Sequence, residues 1–184
     1  NNIKVREKNF HDDRFTNDKR ESLNVIYDFN KPVKEYFNNI VNKNVSGNKI
    51  LELGCGTGTN TISISEKGAD STGIDISSEA ISRAQNTAQA HNKDVQYYEM
   101  DVENMSFNEH SFDKIFGNGI LHHTDLPNSL HQIQRVLKED GQAIFLEPLG
   151  HNPLINLFRK LTPSLRSVDE HPLLMQDLDL IKEI

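Results

Sequence analysis

A chain of 184 residues is long enough to bury a hydrophobic core and suits a single domain. Its formal net charge of −7 argues against nucleic acid or an anionic membrane as a partner, because both favour clustered Lys and Arg. The sequence has no run near the roughly 18 apolar residues of a membrane helix, and its single cysteine excludes an intrachain disulfide. Such cysteine usage agrees with a reducing compartment, so we predict a cytoplasmic location.

The N-terminal segment, residues 1–45, divides into a charged arm and two short helices. Residues 1–20 show little hydrophobic periodicity, which predicts a flexible or loosely docked arm. Apolar residues then recur at helical spacing over 20–29 and 31–43, and Pro32 suits the first turn of the second helix.

Residues 46–148 alternate short apolar runs with amphipathic stretches. Strands are predicted at about 49–53, 71–75, 95–100, 112–117 and 142–147. Helices are predicted at about 58–67, 78–91 and 127–138. Ser77 or Ser78 suits an N-cap, Pro127 a first helical turn, and Gly141 a helix stop. Alternation of this kind predicts an α/β fold with a doubly wound, mostly parallel sheet and helices on both faces.

The most informative stretch, residues 49–58, reads as a buried strand, a tight turn and a helix start. Glycines stand at alternate positions of the turn: Gly54, Gly56 and Gly58. Glycine turns leave backbone N–H groups open to a ligand, and a helix N-terminus favours a carboxylate or phosphate, so a nucleotide-like cofactor is indicated. An unpaired buried carboxylate is costly, so Glu52 needs a hydrogen-bond donor. Cys55 is interpreted as a small space-filling residue rather than a nucleophile.

Asp75 ends the second predicted strand, 21 positions after Gly54. An acidic residue at this spacing usually accepts hydrogen bonds from ribose hydroxyls. The alternative is a helix cap, because Asp75 closely precedes Ser77 and the next predicted helix.

The stretch at 52–58 resembles motif I of the class I S-adenosylmethionine-dependent methyltransferases. Later stretches resemble this family's strand-two, strand-three, strand-four and pre-strand-five motifs, in order: 73–77, 100–102, 112–123 and 135–142. The strand-four stretch looks like the small-molecule, type 11-like branch. The resemblance covers roughly residues 49–148. It implies a Rossmann-like fold, S-adenosylmethionine as cofactor and S-adenosylhomocysteine as product.

The resemblance also implies roles for individual residues. Glu52 would support the glycine loop, and the region of Asn118 would contact the cofactor amine. Asp101 would accept from the adenine amino group, and the Val102 N–H would meet a ring nitrogen. Ile76, beside Asp75, is placed to pack on the adenine face. The predicted cofactor-binding residues are Glu52, Gly54, Cys55, Gly56, Gly58, Asp75, Ile76, Asp101, Val102 and Asn118.

His122 and His123 follow the fourth predicted strand, at the carboxyl edge where open α/β sheets bind ligands. Either is a candidate catalytic base, since imidazole titrates near neutral pH, and the alternative is that the pair shapes a turn. Adjacent histidines do not easily point at one ion, and no carboxylate–histidine spacing indicates a site, so no metal is predicted.

The last segment, residues 149–184, contains three prolines and a helix-like run at 173–184. Members of the family usually close the sheet with an antiparallel hairpin of strands six and seven. No such pair is found, so we expect C-terminal strands that this sequence does not include. Four residues either line a substrate pocket or are surface charge: His151, Arg159, Arg166 and His171.

The sequence therefore predicts methyl transfer from S-adenosylmethionine to oxygen, carbon or nitrogen of a small molecule by in-line displacement. The strand-four stretch lacks the Asn-Pro-Pro-Tyr type sequence of nucleobase or glutamine methylation, which argues against nucleic-acid substrates. The first alternative is a non-catalytic module that binds the cofactor or its product. A dinucleotide-dependent oxidoreductase is disfavoured, because Thr59 breaks the Gly-x-Gly-x-x-Gly pattern.

Overall fold

The computed structural model describes residues 2–16, 31–151 and 172–182, together with Pro153, Asn156, Leu157 and Lys160. The strands are β1 (Lys49–Leu53), β2 (Asp70–Asp75), β3 (Gln96–Glu99), β4 (Phe112–Asn118) and β5 (Leu137–Leu146). The helices are α1 (Asn2–Thr16), α2 (Lys31–Val41), α3 (Thr59–Ser65), α4 (Ser78–Ala90), α5 (Leu126–Val136) and α6 (Met175–Lys182). Short 3₁₀ turns follow β3 and β4, at Val102–Asn104 and Leu121–His123.

The five strands form one parallel sheet in the order β3-β2-β1-β4-β5. The chain moves outward from β1 to β3 and then crosses back to place β4 on the other side of β1. This reversal opens a crevice at the carboxyl ends of β1 and β4, where ligands of doubly wound sheets bind. The predicted α/β class and parallel sheet are confirmed.

Both faces of the sheet are buried, because successive side chains of its central strands point in opposite directions. Ile50 packs with Phe37 and Val41 of α2 on one face. Leu51, its neighbour in β1, joins a core cluster that includes Ile133 of α5 on the other face. All five side chains are at most 6% exposed, so the helices of both layers are held by apolar burial.

Most of the predicted elements of the core are confirmed within a few residues. The Ser77 hydroxyl accepts from the Ala80 N–H at 3.1 Å, which makes Ser77 the N-cap of α4. Pro127 lies in the first turn of α5, and Pro32 lies in the first turn of α2. The N-cap of α5 is Asp125, which the sequence analysis did not identify.

The predicted junction of α5 and β5 is wrong. The helix ends at Val136 instead of continuing to 138, and Gly141 lies inside β5 rather than at a helix stop. Tertiary contacts end the helix early: the Ser111 N–H donates to the Val136 carbonyl, and Leu137 pairs with Phe112 of β4. The chain folds closely on itself here, since a Cβ at Gly141 would lie 2.7 Å from the Leu137 side chain.

The predicted arm at the N-terminus is also wrong for residues 2–16, which form α1 and dock on the sheet edge. Polar contacts hold this helix: Lys4 pairs with Asp101, Lys8 with Glu99, and Asp12 accepts from the Ser77 hydroxyl. Because charged side chains make the contacts, the helix lacks the apolar stripe from which periodicity is read. The predicted helix at 20–29 lies outside the described residues.

The C-terminal segment returns to the sheet through Leu173. This residue forms a parallel bridge with Leu149, is 3% exposed and joins the core cluster under α5. Helix α6 then confirms the predicted helix at 173–184 over a shorter span. The part of the chain that the structure describes contains five strands, without the sixth and seventh. None of the described helices combines the length and apolarity needed to cross a membrane.

Candidate functional site

A cavity of about 410 Å³ opens at the carboxyl edge of the sheet, in the size range of small-molecule sites. Its floor includes Gly54 after β1 and Asp75 at the end of β2. The segment after β3 and the segment after β4 form its two sides, and α1 covers it with Ile3, Lys4, Glu7 and His11. The cavity therefore lies at the point where the strand order reverses.

The glycine turn has the backbone that the sequence indicated. Gly54, Gly56 and Gly58 have φ of 66°, 53° and 78°, a region that side-chain-bearing residues rarely adopt. A Cβ at Gly58 would also lie 2.8 Å from the ring of Tyr97, whose hydroxyl donates to the Gly58 carbonyl at 3.1 Å. Of the three glycines, Gly54 lines the cavity.

Glu52 lies beneath the turn and is 3% exposed. Its carboxylate accepts from the Asn60 side-chain amide at 3.0 Å and from the Thr61 hydroxyl, both in the first turn of α3. These are the donors that burial requires. Burial outweighs these hydrogen bonds and raises the pKa of Glu52 to about 7. Glu52 does not line the cavity, so its predicted role is to hold the turn against α3.

Asp75, at the end of β2, holds the turn that follows β1 through a hydrogen bond to the backbone. One carboxylate oxygen accepts from the Gly56 N–H and the other from the Ser77 N–H, each at 2.9 Å. The cap of α4 is Ser77 itself, so capping does not account for Asp75. Burial raises the pKa of Asp75 above its ordinary value. Asp75 also lines the cavity, which fits the predicted ribose contact.

The predicted adenine-binding residues lie together on one side of the cavity. Ile76, Asp101 and Val102 all line it. Asp101 accepts from the Glu103 N–H at 2.9 Å and pairs with Lys4 of α1. A ligand amino group at this end would therefore share the Asp101 carboxylate with Lys4.

Besides Glu52, Gly56 and Gly58, two more predicted cofactor residues do not line the cavity. Asn118 is the last residue of β4, and its side chain is exposed. Cys55 is 6% exposed, and burial raises the pKa of its thiol, as expected for a space-filling residue. His151 is exposed in a turn away from the cavity, whereas Arg159, Arg166 and His171 lie outside the described residues.

The two adjacent histidines have different surroundings. His122 is 7% exposed and does not line the cavity, and its Nδ1 lies 2.6 Å from the carboxylate of Glu147. Glu147 also accepts from the N–H groups of Ile120 and Leu121, at 2.9 Å each. His123 does line the cavity, so it is the one of the pair that faces a ligand.

His123 belongs to a cluster that the sequence analysis missed. Its Nδ1 lies 3.3 Å from Oε2 of Glu7, and Nε2 of His11 lies 3.6 Å from the same oxygen. Burial alone would raise the pKa of Glu7, but polar and charge interactions with both histidines outweigh it and lower that pKa to about 2. Glu7 and His11 are four residues apart, a spacing that places both on one helix face. That spacing was the available signal, and the unpredicted α1 concealed it.

The residues that form the sheet and its helices are similar to known methyltransferases. The family model described as a methyltransferase domain matches residues 50–141. A ubiquinone biosynthesis O-methyltransferase of Nitrosococcus oceani is 29% identical over 142 residues, which are 77% of this chain and 59% of that protein. A 2-phytyl-1,4-naphtoquinone methyltransferase of Nostoc punctiforme is 31% identical over 123 residues, covering 63% of this chain and 54% of that protein. The chain thus spans less than two thirds of these relatives.

Solved structures share the fold. The YcgJ protein of Bacillus subtilis gives a TM-score of 0.70 at 20% identity, over 81% of this chain and 67% of that one. A geranyl diphosphate C-methyltransferase of Streptomyces coelicolor, crystallised with Mg²⁺, geranyl diphosphate and S-adenosyl-L-homocysteine, also gives 0.70, at 13% identity. That match covers 83% of this chain and 59% of that one. The predicted Rossmann-like architecture is confirmed.

Proposed function

The chain belongs to the methyltransferase domain family, in the class I group that depends on S-adenosylmethionine, and we propose that it transfers the methyl group to a small-molecule acceptor. The proposal depends on one observation: Gly54 and Asp75 line the same cavity, at the point where the strand order reverses. There the glycine turn suits the amino-acid end of the cofactor, and Asp75 suits its ribose.

In this proposal the cofactor's sulfonium supplies an activated methyl group, and the protein aligns the acceptor with it. Asp75 accepts from the ribose hydroxyls while keeping its bonds to the Gly56 and Ser77 N–H groups. Ile76 packs on the adenine, and Asp101 and Val102 contact its edge. Helix α1 covers the cavity and limits access of water, which favours direct displacement.

The acceptor end of the cavity is assigned to the segment after β4. His123, Thr124, Asp125 and Asn128 line the cavity there. His123 is therefore the histidine proposed to contact the acceptor, while His122 is a positioning residue held by Glu147. The names of two relatives refer to quinones, which supports a small organic acceptor over a macromolecule. A cytoplasmic location remains part of this proposal.

Isothermal titration with S-adenosylmethionine and S-adenosylhomocysteine, with NAD as a negative control, tests cofactor binding. Loss of a charged hydrogen-bond partner costs about 1.5–3 kcal/mol, so Asp75→Asn should weaken binding of both at least tenfold. Asp70→Asn is the matched control, because Asp70 is exposed at the opposite end of the same strand. Equal affinities of the wild type and Asp75→Asn would refute the ribose assignment.

Turnover is tested separately, by measuring S-adenosylhomocysteine formation with panels of phenols, carbon acids and amines. His123→Asn should lower turnover with little change in cofactor affinity, whereas His131→Asn, on an exposed face of α5, should change neither. Cofactor binding without turnover on any panel would support the alternative of a non-catalytic binding module.

A further inference from the structure

Glu7, His11 and His123 bring three metal-binding side chains to one place on the cavity wall. The first two come from one face of α1, and His123 comes from the 3₁₀ turn after β4. One ligand atom of each residue lies within 4.8 Å of the other two. Two histidines and one carboxylate are a ligand set that Zn²⁺ and similar divalent ions commonly take.

The spacing of these atoms suits a tetrahedral ion. Zinc bonds of about 2.0–2.1 Å place neighbouring ligand atoms roughly 3.3–3.4 Å apart around a tetrahedron. The distances from Glu7 Oε2 to His123 Nδ1 and to His11 Nε2 are 3.3 and 3.6 Å. One nitrogen of each histidine lies within 4.8 Å of the other, which closes the third edge of the cluster.

The surroundings of the cluster also fit a cation. Glu7 is 4% exposed, and a buried carboxylate is stabilised by a positive partner or by a metal ion. The ring of His11 stacks edge-on against those of Phe10 and His123, with centroid distances of 5.4 and 5.2 Å, which restricts its orientation. Such packing keeps ligand atoms converged, as metal sites require.

All three residues line the cavity, so a fourth coordination position would face its interior. Three protein ligands with one open position are the arrangement of catalytic rather than structural zinc sites.

We propose that Glu7, His11 and His123 bind one divalent ion of the zinc class, whose open position takes a hydroxyl oxygen of the methyl acceptor. The ion lowers the pKa of the coordinated hydroxyl, which releases its proton to water and becomes a better nucleophile. His123 then acts as a metal ligand rather than as a general base. The acceptor assignment rests on the proposed methyl transfer, whereas binding of the ion does not.

The test measures Zn²⁺ binding directly, by competition with a chromophoric chelator and by equilibrium dialysis, without cofactor or acceptor. The wild type should bind one equivalent of Zn²⁺ per chain. Glu7→Gln, His11→Asn and His123→Asn should each weaken binding at least tenfold. His91→Asn and His131→Asn are matched controls, because both residues are exposed and neither lines the cavity, and these variants should bind like the wild type.

A second substitution separates ligation from support of the fold. His11→Cys replaces the imidazole with a thiolate, which is also a zinc ligand, so it should retain Zn²⁺ and give a thiolate-to-metal charge-transfer band with Co²⁺. Failure of the wild type to bind Zn²⁺ or Co²⁺ would overturn the proposal. Binding that survives all three ligand substitutions would also overturn it, since the ion would then lie elsewhere. Either result leaves cofactor binding and methyl transfer to be judged by their own assays.

Discussion

Glu52→Gln tests whether the buried carboxylate beneath the glycine turn titrates near neutral pH. Glu52 is 3% exposed, and burial raises its pKa from 4.5 to about 7 in the folded protein. In the unfolded chain we take the pKa to be near 4.5. Between these two pH values the folded state binds more protons than the unfolded state, so the free energy of unfolding falls as pH rises.

The size of the effect follows from the shift. Each pKa unit corresponds to about 1.4 kcal/mol of free energy. A shift from 4.5 to about 7 therefore lowers the free energy of unfolding by about 3 kcal/mol as the pH rises between these values. The stabilising contribution of the protonated form is complete below pH 4.5 and is gone once the pH passes about 7. Gln carries no titrating proton and can still accept from Asn60 or Thr61. As the pH rises through this window, the free energy of unfolding of the variant should therefore increase by about 3 kcal/mol relative to that of the wild type.

Urea denaturation of both proteins at pH 5, 6, 7 and 8, followed by circular dichroism, measures this difference. Other groups titrate equally in the two proteins, so their contributions cancel in the comparison. Glu66→Gln is the matched control, because its side chain is exposed at the end of α3. A wild-type-to-variant difference that stays constant from pH 5 to 8 would show that Glu52 is ionised throughout and that the burial argument is wrong.

Three further substitutions probe the turn, the histidine support and the core. Gly58→Ala should abolish measurable cofactor binding, because φ is 78° and the added Cβ would meet the ring of Tyr97; wild-type affinity by calorimetry would contradict this. Glu147→Gln removes a charged acceptor of two backbone N–H groups and should cost about 1–3 kcal/mol in urea denaturation, whereas an unchanged midpoint would disprove its anchoring role. Ile115→Ala empties a fully buried position and should cost about 2–5 kcal/mol, while Val33→Ala, half exposed on α2, should cost far less; equal costs would contradict the assigned core.

The centre of the fold was predictable because its local signals and its tertiary packing agree. The apolar run of β1, the alternate glycines after it and Asp75 at the end of β2 each indicated the conformation that the structure has. Their spacing along the chain is enough to place them at one sheet edge, since parallel strands align their carboxyl ends. The predicted ribose contact of Asp75 remains to be measured.

The parts that were not predicted depend on contacts between distant segments. Helix α1 docks through charged side chains, and its sequence lacks an apolar stripe, so periodicity could not reveal it. The early end of α5 depends on the loop before β4, whose N–H groups donate hydrogen bonds to the last carbonyls of the helix. The convergence of Glu7 on His123 follows from the docking of α1, so the spacing of Glu7 and His11 alone was not enough to predict the cluster.

Helix α1 contributes side chains to the cavity wall, so filling the cavity and docking this helix are thermodynamically coupled. A ligand that contacts both α1 and the sheet binds only while the helix is docked, and by linkage it lowers the fraction of molecules in which the helix is undocked. The helix carries trypsin cleavage sites at Lys4 and Lys8, which pair with Asp101 and Glu99 when docked. Susceptibility of the N-terminus to limited digestion is thus a direct readout of cavity occupancy.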